Sequence, residues 1–298
     1  MDNRRNRFLK IEENIEKCLQ FILCALIIIT TAVFVLYSAI NQAFNANSNI
    51  IQSVINENYI RNLINDINLN VAKECNNLNI SYETVAHSIN TTKIQLMSER
   101  YFSSQCDALF NGNELALVEY PDEDFYPALS EISGLNDVQK QEYANKLAQI
   151  VTLSVTQPID TTFSKISFLG SLNSLMSSTL INIVFIIMDI VFIFIFIVSY
   201  KRSTLRRFST VTGLLWIGVS MIFIPGIISK VFDYNTLFTN TSYSLNALGT
   251  NMFTHIFDNI ISMSCIIWII LTIVLIISVF EIAWRPFKHH HKRKDIIE

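Results

Sequence analysis

The chain lacks the short motifs that accompany the commonest catalytic sites. It contains no HExxH, GxSxG, GxGxxG or CxxC pattern and no phosphate-binding GxxxxGK[ST] loop. It also lacks the GxGD pattern, with its second membrane-buried aspartate, that an intramembrane aspartyl protease needs. We therefore predict that the protein is not an enzyme, has no catalytic residues, and holds neither a cofactor nor a metal.

Strand-like alternation of apolar and polar residues and internal repeats are also missing. Apolar residues concentrate instead in four runs. Each run is long enough to cross a hydrocarbon core of about 30 Å at about 1.5 Å per helical residue. The sequence therefore predicts an all-α integral membrane protein with four transmembrane helices, over residues 18–41, 175–200, 210–232 and 256–284.

The distribution of charge predicts the orientation. Lys and Arg are concentrated in three segments that flank the runs, namely residues 1–17, 201–209 and 285–298. By the positive-inside rule these segments face the cytoplasm, so both termini lie inside. Residues 41–165 carry 15 acidic and 7 basic side chains, which suits the opposite side of the membrane.

These signals together predict a multi-pass protein of the plasma membrane. We expect an extracytoplasmic domain over residues 42–174 and a second external loop over residues 233–255. The basic segments are explained by topology and by contact with anionic lipid, so we expect no nucleic-acid partner.

The external domain is predicted to be a helical bundle. Apolar residues recur every three or four positions in two stretches, over residues 50–75 and 136–155. A further helix is predicted between them over residues 81–110, with Ser81 as its cap and Gly112 in the segment that ends it. Asn136 and Gln139 have the spacing of a capping box at the start of the stretch 136–155, and Pro158 is expected to end it. The acidic stretch 119–127, with its two prolines, is expected to be an exposed loop.

Two cysteines, Cys75 and Cys106, lie in the predicted external domain. An oxidising compartment favours a disulfide between them. Closing a loop of about thirty residues would stabilise the domain by roughly 3–4 kcal/mol on the chain-entropy model. The alternative is a pair of buried free thiols.

Asp189 is the sharpest polar signal inside the predicted spans. An aspartate at the centre of a span costs roughly 2.5–3.5 kcal/mol, whereas the Leu, Ile, Val and Phe residues around it favour insertion by about 5–10 kcal/mol. The net free energy therefore still favours insertion of this span into the membrane. Helical spacing places Asp189 in one of two polar stripes, with Ser178 and Asn182 on the second span, while Asp258, Ser262 and Thr272 form the other on the fourth span.

Two interpretations of these stripes are open. They either line a water-filled path with Asp189 as a proton or cation site, or form a hydrogen-bonded seam between packed helices. No span has a Lys or Arg near mid-membrane, so the expected partner of Asp189 is a neutral hydroxyl, that of Ser220 or Thr272. In the third span, Pro225 and Gly226 form a candidate hinge, with simple shaping of the packing as the alternative.

The predicted function is non-catalytic. The external domain binds, senses or scaffolds, and it acts through a partner in the membrane because the cytoplasmic segments are too short to hold a signalling enzyme. The expected partners are the lipid bilayer and either another protein or further copies of this chain. The alternative is a small oligomeric transporter or channel that uses Asp189.

Overall fold

The computed structural model describes residues 2–45, 47–176, 179–200, 203–231 and 241–294. Throughout those ranges the regular structure is helical, and none of their residues forms a strand. The prediction of an all-α chain is confirmed. The described ranges contain ten α-helices: α1 (Asp2–Asn45), α2 (Asn47–Val54), α3 (Glu57–Asn77), α4 (Tyr82–Ala86), α5 (Thr91–Asn111), α6 (Tyr126–Ser130), α7 (Asp137–Met176), α8 (Thr179–Ser199), α9 (Thr204–Ser229) and α10 (Tyr243–Lys294).

The chain divides into two compact units. We call the first the apolar unit; it comprises Met1–Asn41, Leu175–Val231 and Phe257–Glu298. The second, the polar unit, comprises Gln42–Ser174 and Phe232–Ile256. Each unit therefore gathers segments that are far apart in sequence.

Three stretches of helix are long and apolar enough to cross a membrane, and they indicate a membrane protein. They are Asn14–Phe44, Thr204–Ser229 and Tyr243–Trp284. The apolar stretch of α8 over its described side chains, Ile183–Ser199, is shorter than these three. The second predicted span therefore stays a prediction.

The apolar unit has a core where α1, α8 and α9 meet. Leu23 and Ile27 of α1 pack with Phe196 of α8 and with Val211 and Leu214 of α9, and all five side chains are buried. The opposite face of α8 is open, since most of its Ile, Val and Phe side chains are exposed. An apolar surface of this kind suits lipid or another membrane helix.

The polar unit is held together by the apolar stripes of α3, α5 and α7. Leu63 and Ile67 of α3 are fully buried, as is Leu147 of α7. Phe102 of α5 meets Phe163 of α7 edge-on, with 5.3 Å between ring centroids. Full burial of one such side chain contributes about 1.5–3 kcal/mol, so this core gives the unit its own stability.

Local sequence signals set several helix ends as predicted. The capping box is present: the Gln139 amide N donates to Asn136 Oδ1 at 2.8 Å, and the Asn136 amide N donates to Gln139 Oε1 at 3.1 Å. Gly112 ends α5 in the left-handed region at φ +70°, which a glycine adopts without strain.

Two predicted helices are broken in the structure. The stretch 50–75 divides at Asn56, whose side chain accepts a hydrogen bond from the Tyr59 amide and caps α3. The stretch 81–110 divides before Asn90, which caps α5 through the Lys93 amide. Asparagine competes well for cap positions, and in these two cases the cap prevails over a continuous helix.

The prediction that Pro158 ends a helix is wrong. Helix α7 runs through it without interruption. Val155 and Ile159 on either side are fully buried, so burial of the apolar stripe outweighs the hydrogen bond that proline removes.

The stretch 119–127 is more ordered than the exposed loop that we expected. It contains a short 3₁₀ turn over Asp122–Asp124, and the side chains of Tyr120 and Phe125 are buried. The Tyr120 hydroxyl donates to the Ser88 carbonyl at 2.6 Å and accepts from the Asn90 amide at 2.9 Å. The two rings therefore anchor this acidic stretch to the bundle.

Candidate functional site

Asp189 is paired with a residue of the first predicted span. Its carboxyl group is hydrogen-bonded to the hydroxyl of Thr30, and that hydroxyl also donates to the carbonyl of Leu26 at 2.8 Å. The Thr30 hydroxyl is the donor in its bond to Asp189, and this bond joins α8 to α1.

The expected partners of Asp189, Ser220 and Thr272, are engaged elsewhere. The Trp216 indole N–H of α9 donates to Thr272 Oγ1 at 2.9 Å, and the Trp268 indole N–H of α10 donates to Ser220 Oγ at 3.0 Å. Each hydroxyl in turn donates to a tryptophan carbonyl one turn earlier on its own helix, at 2.7 Å in both cases. We call these four bonds the tryptophan clasp.

The clasp has a sequence signal that we missed. Trp-x-x-x-Ser on α9 (Trp216, Ser220) and Trp-x-x-x-Thr on α10 (Trp268, Thr272) place an indole and a hydroxyl four residues apart, on one face of each helix. Antiparallel packing then brings each indole to the other helix's hydroxyl. Such a pattern is self-complementary.

The second polar stripe faces α9. Besides Thr272, Asp258 forms an ion pair with Lys230 of α9 at 2.9 Å. Both charged side chains are about half exposed, so the pair contributes little to stability. Ser262 is exposed. The two stripes thus make their hydrogen bonds and ion pair to different helices, α1 for Asp189 and α9 for Asp258 and Thr272.

Ser178 and Asn182 were predicted to share a polar stripe with Asp189 on the second span. Ser178 lies outside the residues that the structure describes, and so does the side chain of Asn182. Their proximity to Asp189 therefore stays a prediction.

The candidate hinge lies inside a continuous helix. Helix α9 runs through Pro225 and Gly226. A Cβ on Gly226 would lie 3.1 Å from Ile261 Cγ1 of α10, so the glycine allows close packing there.

Gly218 marks a close approach of α9 to α1, and its sequence context gave only a weak indication of it. A Cβ at this position would lie 2.9 Å from both the Ile28 carbonyl oxygen and Thr31 Cβ of α1. At Gly213, one and a half turns away, the nearest atom would be Leu275 Cδ1 at 3.9 Å. Of Gly213 and Gly218, only Gly218 therefore lies close to a neighbouring helix. The two glycines do not have the GxxxG spacing that would have predicted the contact.

The polar unit contains a cavity of about 340 Å³ with a buried carboxylate in its wall. Asp66 of α3 is 8% exposed, and its Oδ2 accepts a hydrogen bond from the Ser244 amide in the first turn of α10 at 2.8 Å. The rest of the wall consists mainly of amides and hydroxyls. It is formed by Asn70, Ser154, Gln157, Pro158, Thr161, Thr241, Ser242, Ser244 and Leu245.

The position of Asp66 in the helix pattern is a signal that went unused. It lies three residues after Leu63 and one before Ile67, both fully buried, and so falls on the core-facing side of α3. A carboxylate on a core-facing stripe indicates a buried polar partner or a binding site.

Pro158 leaves the carbonyl of one wall residue without its ordinary helical partner. Proline has no amide hydrogen, so the Ser154 carbonyl four residues earlier loses its ordinary helical partner. Ser154 and Pro158 both line the cavity, and Ser154 Oγ accepts a hydrogen bond from Asn70 Nδ2 at 3.0 Å.

Cys75 and Cys106 are buried and are free thiols in this structure. Burial raises the pKa of Cys75 to about 11, and burial likewise raises the pKa of Cys106 to about 12. Both therefore stay protonated at neutral pH, as suits inert packing residues. The disulfide between them stays a prediction.

Among the described residues, no three His, Cys, Asp or Glu side chains come together in a way that could hold a metal ion. Comparison with protein-family models, with curated proteins and with solved structures finds no match to this chain.

Proposed function

We propose that the protein is a four-span receptor of the plasma membrane, with both termini in the cytoplasm and the polar unit displayed outside. In this proposal the polar unit binds a small ligand, and the bound state is passed to a partner protein in the membrane. The observation that carries the proposal is the cavity beside Asp66, because a buried carboxylate within a pocket of about 340 Å³ is typical of a ligand site.

The helix bounds support a route for the signal. Ser244 and Leu245, in the first turn of helix α10, line the cavity, and the helix continues to Lys294 through the longest membrane-compatible stretch among the described residues. A ligand that alters the hydrogen bond between Asp66 and Ser244 acts directly on the first turn of that helix. The cytoplasmic segments are short, so the output requires a second chain.

The contacts of Asp189 favour this function over transport. A carboxyl group that is bonded to Thr30, with Thr30 bonded onward to Leu26, joins two helices. The transporter alternative requires that carboxyl group to carry protons or cations. Asp189→Asn in liposomes separates the two, because a structural role predicts unchanged flux and a transport role predicts its loss.

The test of the proposal is native mass spectrometry of the full chain extracted with its own lipids. We expect a stable complex with a second, different chain. The same complex should form with Asp66→Asn, since the substitution changes ligand binding and not assembly. A chain that is monomeric in its own membrane would contradict the proposal. A pure homo-oligomer would also contradict it and would favour the alternative of an oligomeric transporter or channel.

Orientation is tested separately by labelling with a membrane-impermeant maleimide on intact cells. Leu117 is 81% exposed in the polar unit, so Leu117→Cys should be labelled from outside. The native Cys18, also exposed, lies at the predicted inner edge of the first span and should react only after permeabilisation. The opposite pattern would overturn the proposed topology.

A further inference from the structure

The cavity beside Asp66 contains a carboxylate that no cationic side chain among the described wall residues balances. Asp66 is the one ionisable residue among the described residues that line it, and Lys, Arg and His do not occur among them. The partner of its Oδ2 is a backbone amide, that of Ser244. A helix N-terminus supplies partial positive charge, so the carboxylate is held in place without being neutralised.

The wall offers further acceptors besides Asp66. Asn70 lines the cavity and donates through its amide nitrogen to Ser154 Oγ, and its amide oxygen is an acceptor. The Ser154 carbonyl is released from the helix by Pro158. A ligand that brings hydrogen-bond donors suits these acceptors.

Size and composition narrow the class of ligand further. The volume of about 340 Å³ lies at the lower end of the range for small-molecule sites. The described wall contains no aromatic ring on which a flat ligand could stack. Hard metal ions such as Ca²⁺ take six to eight oxygen ligands, usually with several carboxylates, and this wall offers one carboxylate.

Building on the proposed function, we infer that the cavity binds a small aliphatic amine through its primary ammonium group. The ammonium has three donors and one positive charge. Asp66 takes the charge and one donor, and the Ser154 carbonyl and the Asn70 amide oxygen take the others. Because Asp66 also holds the Ser244 amide, amine binding is felt at the first turn of α10.

The experiment measures binding to the full chain in lipid nanodiscs by isothermal titration calorimetry. The probes are putrescine and ethanolamine, with 1,4-butanediol as the uncharged match of putrescine and succinate as an anion of similar length. We expect the two amines to bind. Neither 1,4-butanediol nor succinate should bind.

Asp66→Asn keeps an acceptor for the Ser244 amide while it removes the charge. It should weaken putrescine binding at least about tenfold, because a charge-assisted hydrogen bond is lost. The matched control is Asp160→Asn, also in the polar unit, where an exposed carboxylate accepts from the Tyr101 hydroxyl at 2.7 Å away from the cavity wall. It should leave the affinity unchanged.

Pro158→Ala provides a second variant that does not alter charge. It restores the amide that bonds the Ser154 carbonyl, and it should weaken putrescine binding roughly two- to tenfold, the usual effect of one hydrogen bond. Should Asp66→Asn fail to fold, this variant alone decides the inference.

Three outcomes would overturn the inference: no binding of either amine, equal binding of 1,4-butanediol and putrescine, or putrescine binding that none of the folded cavity variants weakens. Binding of succinate instead would reject the amine class and leave the proposed receptor function standing. The receptor function itself fails in the mass-spectrometry experiment, which uses no ligand, so the two failures are distinguishable.

Discussion

Gly218 is the position at which the packing of the apolar unit depends most directly on one absent methyl group. In Gly218→Ala the new Cβ would meet the Ile28 carbonyl oxygen and Thr31 Cβ of α1 at 2.9 Å. Carbon atoms attract each other best at about 3.5–4.0 Å, so α1 and α9 must separate by about 0.5–1 Å. The blocking atoms include backbone, and a rotamer change cannot relieve the clash.

The magnitude follows from a comparison with Gly213→Ala on the same helix. There the new Cβ would find its nearest neighbour at 3.9 Å, which is ordinary contact. Both substitutions gain the same helix propensity, up to about 1 kcal/mol, and that gain cancels in the difference. What remains is the cost of overpacking, about 1–3 kcal/mol, by which Gly218→Ala should be the less stable variant.

The measurement is equilibrium unfolding of both variants in bicelles, titrated with sodium dodecyl sulfate and followed by tryptophan fluorescence. A difference of 1–3 kcal/mol corresponds to about five- to 150-fold in the unfolding equilibrium constant. Equal stability of the two variants would refute the reasoning. It would mean that α1 and α9 do not approach each other at Gly218 as the structure has them.

Two further substitutions, two labelling experiments and one pH dependence test the described contacts. Thr30→Val should destabilise the apolar unit by about 0.5–1.7 kcal/mol in the same bicelle assay, because it removes the Asp189 hydrogen bond at constant volume; an unchanged unfolding curve would contradict the bond. Trp268→Phe removes one indole donor of the tryptophan clasp. It should lower the free energy of unfolding by about 0.6 kcal/mol for the hydrogen bond, and further for the smaller ring contact, whereas unchanged stability would show that the clasp is not formed. Cys75 and Cys106 should resist iodoacetamide at pH 8 in the folded protein, since burial raises the pKa of both thiols, to about 11 and about 12; rapid labelling would contradict their burial. Since the folded pKa values exceed that of an unfolded thiol, about 8.5, these two groups leave stability unchanged below about pH 8.5, and the free energy of unfolding should fall as pH rises from there toward 11–12. Labelling after denaturation without reductant tests the predicted disulfide, which would block the reaction at both residues.

The elements that the sequence predicted well are those set by neighbouring residues. Asn136 and Gln139 lie three positions apart, so their reciprocal hydrogen bonds require nothing beyond a local turn. The apolar runs likewise announce three membrane-compatible helices by length and composition alone.

The elements that were missed depend on long-range packing. Pro158 does not end α7, because buried neighbours from elsewhere in the polar unit outweigh a local rule. Thr30 could not be chosen over Ser220 or Thr272 as the partner of Asp189, because that choice depends on which helix lies beside α8. The partner of Asp66 could not be predicted either, because the Ser244 amide that donates to its carboxylate is 178 residues away in the sequence.

The tryptophan clasp has a consequence for how α9 and α10 can move. The contacts between Gly213 and Leu275 and between Lys230 and Asp258 lie in the same antiparallel register as the clasp, so the two helices pair over about 26 Å at about 1.5 Å per residue. Sliding one helix past the other by a single residue breaks both interhelical bonds of the clasp together. At about 0.6 kcal/mol per bond, that displacement costs about 1.2 kcal/mol, or roughly eightfold in population. Axial translation of α10 alone is thus disfavoured relative to tilt and rotation of the two helices as a pair.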